Sequence, residues 1–186
     1  MRKECDTDYH AVARLHLENI QKGFLPKLGS EFLVLLYQSI DESPCSKLIC
    51  ISENGRMVGI VAGTFNMRDI YKRLIRRWWA LGIALAPSLF VPKRLYGMIE
   101  ILTLDRRNRG NKELDDLPSA ELLSIVVAPA FRGRGHAEKL YHRLAEFFVT
   151  SDQNSFKIVV GSSLESAHRF YLRMGAKPCA EIEVHD

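Results

Sequence analysis

What this chain lacks narrows it first. Its four cysteines, Cys5, Cys45, Cys50 and Cys179, form no Cys-x-x-Cys pair and no metal-ligand spacing with histidine. Neither a zinc site nor a disulfide scaffold is expected, and reduced thiols in a cytoplasmic protein are the simplest account. No Gly-Lys-Ser/Thr is present, which excludes a Walker phosphate loop. The uncharged run over residues 78–91 is 14 residues long and is interrupted by Pro87; a membrane-spanning helix needs about 20. The opening Met1-Arg-Lys-Glu-Cys-Asp is charged rather than apolar, so no secretory leader is expected. A net charge of +4 is too small to mark the whole chain as a nucleic-acid binder, and no groove-reading motif accompanies it.

What is present is an ordinary globular composition, 47% apolar and 26% charged over 186 residues, long enough for one domain with a full core. The most informative stretch is Ala120-Glu-Leu-Leu-Ser-Ile-Val-Val-Ala-Pro-Ala-Phe-Arg-Gly-Arg-Gly-His-Ala-Glu-Lys-Leu-Tyr141. Residues 122–127 are a short apolar run rich in β-branched side chains, as in a strand buried on both faces. Pro129 stops it. A glycine-rich turn follows, and then a helical pattern with Ala137, Leu140, Tyr141, Leu144 and Phe148 on one face.

Such a turn can bind an anion. The first N–H groups of a helix have no intrahelical partners, and the helix dipole adds about half a positive charge there. Gly133 and Gly135 carry no Cβ, so a phosphate can approach the backbone, and Arg132 and Arg134 add long-range attraction. The bland alternative is that the glycines only make a tight connection. Gly133-Arg-Gly135-His-Ala-Glu138 lacks the third small residue of a dinucleotide fingerprint. Arg132-Gly-Arg-Gly135-His-Ala137, with the strand before it, resembles instead the Arg/Gln-x-x-Gly-x-Gly/Ala loop of the GNAT superfamily of acyl-CoA-dependent N-acetyltransferases.

A second stretch carries the same resemblance. Ala167-His-Arg-Phe-Tyr171-Leu-Arg-Met-Gly175-Ala is similar to the family's Asn-x-x-Ala-x-x-x-Tyr-x-x-x-Gly-Phe, with Leu164 at the asparagine position and Ala176 at the terminal aromatic one. The two stretches span less than a third of the chain.

The order of elements extends the likeness. Residues 2–5 read as a short strand. Asp8 is positioned to cap a helix over residues 9–21, with Val12, Leu15 and His16 on one face. Ser30 is positioned to cap a second helix, with Phe32, Leu33, Leu36, Tyr37 and Ile40 on its apolar face. Residues 47–52 and 56–65 are strand-like and joined by Glu53-Asn54-Gly55, a strong hairpin signal. Gly59 and Gly63 mark bulges or close backbone approach. Residues 156–160 read as a strand, and Ser162 with Glu165 has capping-box spacing for the last helix. Gly175 sits where a left-handed helix end would be. Residues 182–184 alternate with charges as an edge strand would. The fold implied is an α/β, GNAT-like one: a single domain over residues 1–186, with a central mixed sheet flanked by helices.

Residues 67–117 depart from the resemblance and read as a helical insertion before the central strand. Between Arg68 and Lys112 eleven Lys/Arg face three acids, a local balance of +8 within a chain of +4. Three readings stay open: helices that pack on the domain or on a second copy in a homodimer; a basic, aromatic wall over an acidic or sugar-nucleotide acceptor; or peripheral membrane contact through residues 71–96.

The resemblance also implies roles. Backbone groups of Ile125, Val126 and Val127 would pair with the pantetheine arm of acetyl-CoA, and Arg132, Gly133, Arg134, Gly135, His136 and Ala137 would hold its pyrophosphate. Tyr171 would protonate the departing thiolate; its competing role is a core tyrosine with a satisfied hydroxyl. Glu121, at the start of the central strand, is the best candidate base, with Glu100 a weaker one; its bland alternative is an exposed carboxylate at a strand start. His136 reads as a bystander in acid–base chemistry and His168 as a surface residue. No cysteine stands in the motif as an acyl carrier, which favours direct transfer to a small-molecule amine. The opposing class is a non-catalytic acyl-CoA-binding sensor or scaffold module, and a third reading is a membrane-surface acetyltransferase acting on a lipid-linked glycan.

Overall fold

The computed structural model describes residues 8–20, 25–77 and 117–181. The elements are α1 (Tyr9–Asn19), α2 (Ser30–Glu42), β1 (Ser46–Glu53), β2 (Arg56–Thr64), α3 (Met67–Arg76), β3 (Glu121–Val127), α4 (His136–Thr150), β4 (Lys157–Ile158) and α5 (Glu165–Arg173). The sheet runs β1-β2-β3-β4, with β1, β2 and β3 antiparallel and β4 parallel to β3. It is the expected mixed sheet flanked by helices. The expected strands at residues 2–5 and 182–184, and the uncharged run 78–91, lie outside the described residues. No helix among the described residues is long and apolar enough to cross a membrane.

Two cores sandwich the sheet. Val12, Leu15, Leu33, Tyr37 and Ile40 of α1 and α2 pack on Leu48, Ile60, Ala62 and Val126. Leu140, Leu144 and Phe148 of α4 pack on Ile49, Val61, Leu122 and Val127 from the other side. Strand residues alternate between these layers because successive side chains point to opposite faces.

Local signals were followed unevenly. Asp8 caps α1 as expected, its carboxylate accepting from the backbone N–H groups of His10 and Ala11. The hairpin forms around Asn54 (φ +51°) and Gly55 (φ +75°), both left-handed as a two-residue turn requires. The helix end at Gly175 is also as read: Ala176 N donates to Tyr171 O and Gly175 N to Leu172 O, the paired bonds of a Schellman motif.

Two expected caps are not made. Gly29, not Ser30, stands at the start of α2, and Leu164, not Ser162, precedes α5; neither position makes a side-chain capping bond. The strand expected at 156–160 shrinks to Lys157–Ile158.

α3 is the described beginning of residues 67–117, the stretch read from the sequence as an insertion. It buries Ile70 and Leu74 and lies against α2. Part of its positive charge is neutralised within the fold. Arg73 Nε donates to Asp69 at 2.8 Å, and Arg77 Nη2 donates to both Glu42 carboxylate oxygens at 2.8 Å.

Gly63 marks a tight helix–sheet approach. A Cβ there would sit 2.8 Å from Leu144 Cδ1 and 2.9 Å from Phe148 Cζ, both in fully buried side chains. Gly63→Ala should therefore destabilise the fold by about 1–3 kcal/mol through overpacking. Urea unfolding measures this, and an unchanged midpoint would show that α4 shifts freely.

Candidate active site

The site is built on an asymmetry of β3. One edge pairs with β2 from Glu121 to Val127, whereas the other pairs with β4 only at Glu121–Lys157 and Leu122–Ile158. Beyond Leu122 the two parallel strands part, and a fork opens between them.

Backbone register decides which groups face the fork. Ala128 N donates to Val58 O at 2.8 Å, so Gly59–Val127 is a widely spaced pair and Val126 exchanges its bonds with Ile60. The backbone of Val126 is therefore committed to the sheet. That removes it from the expected trio of cofactor-pairing residues, while Ile125 and Val127 face the fork. The Val127 carbonyl already accepts from Arg132 Nε at 3.0 Å.

At the open end of the fork lies the glycine turn. Gly133 (φ +74°) and Gly135 (φ +78°) are left-handed, and a Cβ at either would meet nothing within 4 Å. The open space above their backbone faces the start of α4, a 15-residue helix whose first N–H groups and dipole favour an anion. Val127, Arg132, Gly133, His136 and Ala137 line a cleft of about 160 Å³ there, with Phe170 and Arg173 on its α5 side. This turn fits the pyrophosphate of a CoA donor.

Side chains missed in the sequence brace the turn. Asn19 Oδ1 accepts from Arg132 Nη2 at 3.0 Å, so Arg132 ties α1 to the end of β3. Glu53, from the hairpin tip, lies 2.9 Å from His136 Nε2 and 3.6 Å from Arg134 Nη1. Arg134 also lies over the Phe131 ring, 5.0 Å from its centroid. Arg173 Nη2 donates to Glu138 at 3.0 Å, bridging α5 and α4 beside the cleft. No local sequence signal links Asn19, Glu53 or Arg173 to the turn, because each comes from a separate element.

The two expected catalytic groups lie on opposite sides of the sheet. Leu122 belongs to the α4 layer, so Glu121 beside it points to the α1–α2 face. Its side chain is 22% exposed, with Lys157 Nζ 3.9 Å away. Tyr171 packs from α5 onto the α4-side core. Burial pushes its phenol up to about 12, so it stays protonated at neutral pH. Its hydroxyl makes no hydrogen bond to a described residue, unlike a core tyrosine with a satisfied hydroxyl. Leu164, at the family's asparagine position, is exposed. Glu100 lies outside the described residues.

The sequence pattern described as "Acetyltransferase (GNAT) family" matches residues 14–176. The chain belongs to this family. Acetyl-CoA is accordingly its acetyl donor. Solved GNAT structures share its fold at low identity. An aminoglycoside 6'-N-acetyltransferase from Acinetobacter haemolyticus matches at TM-score 0.62 and 8% identity, over 98% of this chain and 94% of that one. The aminoglycoside acetyltransferase AAC(6')-Iy, bound to a bisubstrate analogue of CoA, matches at 0.58 and 11%, over 96% and 92%. A ribosomal-protein-alanine N-acetyltransferase from Brucella melitensis matches at 0.54 and 13%, over 96% and 91%. No relative was found among curated proteins by sequence.

Gly135→Ala tests the cradle directly. A side chain at a left-handed φ costs roughly 1–2 kcal/mol, and its methyl group would project into the space left for phosphate. Calorimetry should show CoA affinity falling at least tenfold with the fold retained. Unchanged affinity would place the pyrophosphate elsewhere.

Proposed function

We propose that this GNAT acetyltransferase moves the acetyl group of acetyl-CoA directly onto a primary amine of a small-molecule acceptor. The observation that carries this reading is the fork: an open edge on the central strand, ending in an anion cradle, with a protonated tyrosine on one side and a carboxylate on the other. The aminoglycoside enzymes among its structural neighbours are precedents for an amine acceptor on this fold, not an assignment of one.

Acetyl-CoA supplies an activated thioester; the chain supplies everything else. The Ile125 backbone and the Val127 N–H offer hydrogen bonds along the fork. Gly133, Gly135 and the start of α4 hold the pyrophosphate, with Arg132 fixing the turn and Arg134 and His136 adding polar contacts.

An amine of pKa near 10.4 is protonated at pH 7, and having it neutral costs roughly 4–5 kcal/mol. Glu121 takes that proton, directly or through a water, from the α1–α2 side. Tyr171 gives its phenolic proton to the departing thiolate from the α5 side. No cysteine of the motif intervenes, so donor and acceptor occupy the site together.

Saturating acetyl-CoA, at about 100 times Kd, should stabilise the fold by roughly 2.7 kcal/mol, about 5–10 °C in Tm, and ATP should not. Tyr171→Phe should keep that shift and lose at least tenfold in kcat, measured as CoA release with an amine panel that includes aminoglycosides and a peptide N-terminus. A full shift without CoA release from any amine would instead identify a binding module. An unchanged kcat in Tyr171→Phe would remove the tyrosine from the chemistry.

A further inference from the structure

Three polar side chains from three separate elements meet beneath β3, in the otherwise apolar layer formed by α1 and α2. His16 Nδ1 lies 2.6 Å from Tyr37 Oη, and Tyr37 Oη lies 3.0 Å from Ser124 Oγ. All three are buried, with exposures of 2%, 2% and 9%. Val12, Leu33, Ile60 and Val126 belong to the same layer. The second ring nitrogen of His16, Nε2, is also buried and bonds to no described residue.

This chain of hydrogen bonds has a preferred direction. Burial lowers the imidazole pKa to about 4, so at neutral pH the ring carries one N–H. If that proton sits on Nε2, a buried N–H is left without an acceptor. If it sits on Nδ1, His16 donates to Tyr37, Tyr37 donates to Ser124, and only a bare ring lone pair is left over. Buried N–H donors without partners are rarer than under-used acceptors, so the second arrangement is favoured. The Ser124 hydroxyl then accepts from Tyr37 and keeps its own proton to donate. Linked hydrogen bonds polarise one another, which makes that terminal hydroxyl a stronger donor.

Ser124 stands two residues past Leu122, the last partner of β4, at the closed end of the fork. Val127 to Ser124 spans about 10 Å of strand at about 3.3 Å per residue. A pantetheine arm that starts farther back, at the glycine turn, and runs extended along this edge would bring its thioester to the level of Ser124. Glu121 points to the same face of the sheet as Ser124. Resting on the acetyl-transfer reading of the fork, we propose that Ser124 donates a hydrogen bond to the carbonyl oxygen of the bound acetyl group, and that Tyr37 and His16 are positioning residues that orient it. No covalent bond is made to the serine; it withdraws charge from the carbonyl that the amine attacks.

Infrared difference spectra of [1-13C]acetyl-CoA bound to the full chain test this without turnover. In the wild type, the thioester carbonyl band should lie at lower wavenumber than for acetyl-CoA in solution. Ser124→Ala should return it most of the way to the free position. Tyr37→Phe, which keeps the packed ring, should return it part of the way. The thermal shift produced by CoA, which has no acetyl group, should be the same in all three proteins. A band unmoved by Ser124→Ala, with acetyl-CoA still bound, would overturn the proposal and leave the acetyl-transfer reading standing; so would a Tyr37→Phe band identical to wild type. Absence of any bound band in the wild type would overturn both.

Discussion

The structure depends on one unfinished strand edge. β3 has helices packed over both faces and two strand neighbours, yet one of those neighbours leaves it after Leu122. Backbone N–H and C=O groups near a core are costly when unpaired, and natural sheets rarely leave such an edge open. Here the edge is kept open by its surroundings. Arg132 occupies the Val127 carbonyl, α4 turns away at Gly135, and α5 stands back across the cleft. A ligand that completes the edge is the natural partner of that arrangement, and an extended, amide-containing arm that ends in a pyrophosphate matches both the strand and the turn.

Much of this was legible in the sequence because it is encoded locally. The apolar run of 122–127, the Asn54–Gly55 turn, the faces of α1, α2 and α4, and the Gly175 helix end each depend on residues a few positions apart. The caps expected from Ser30 and Ser162 were not, because a serine caps only if the backbone enters the helix at that residue. In α2 the entry falls at Gly29, with φ +91°. Strand length at β4 was also illegible: residues 159–160 have strand-like composition but no partner strand among the described residues, since β3 and β4 diverge. The role of Val126 could not be read either. Adjacent strand residues look alike in sequence, and only the pairing with Ile60 shows which of them the sheet has already used.

The polar chain from His16 to Ser124 lies furthest from anything sequence reading can reach. Its members are 21 and 87 residues apart and occur within apolar faces where a lone polar residue carries no signal. Family membership likewise fixes the donor more firmly than the acceptor. Within residues 67–77, Arg73 of α3 and Arg77 just after it are spent on Asp69 and Glu42, which weakens the case for α3 as a purely ligand-facing basic wall.

Docking of the donor along the fork edge of β3 can be followed by amide hydrogen exchange resolved by residue. With CoA bound, the amides of Ile125 and Val127 should gain strong protection, whereas Val126, already bonded to Ile60, should change little. Equal protection of all three amides, or protection confined to the glycine turn, would contradict the claim that the donor completes the sheet along this edge.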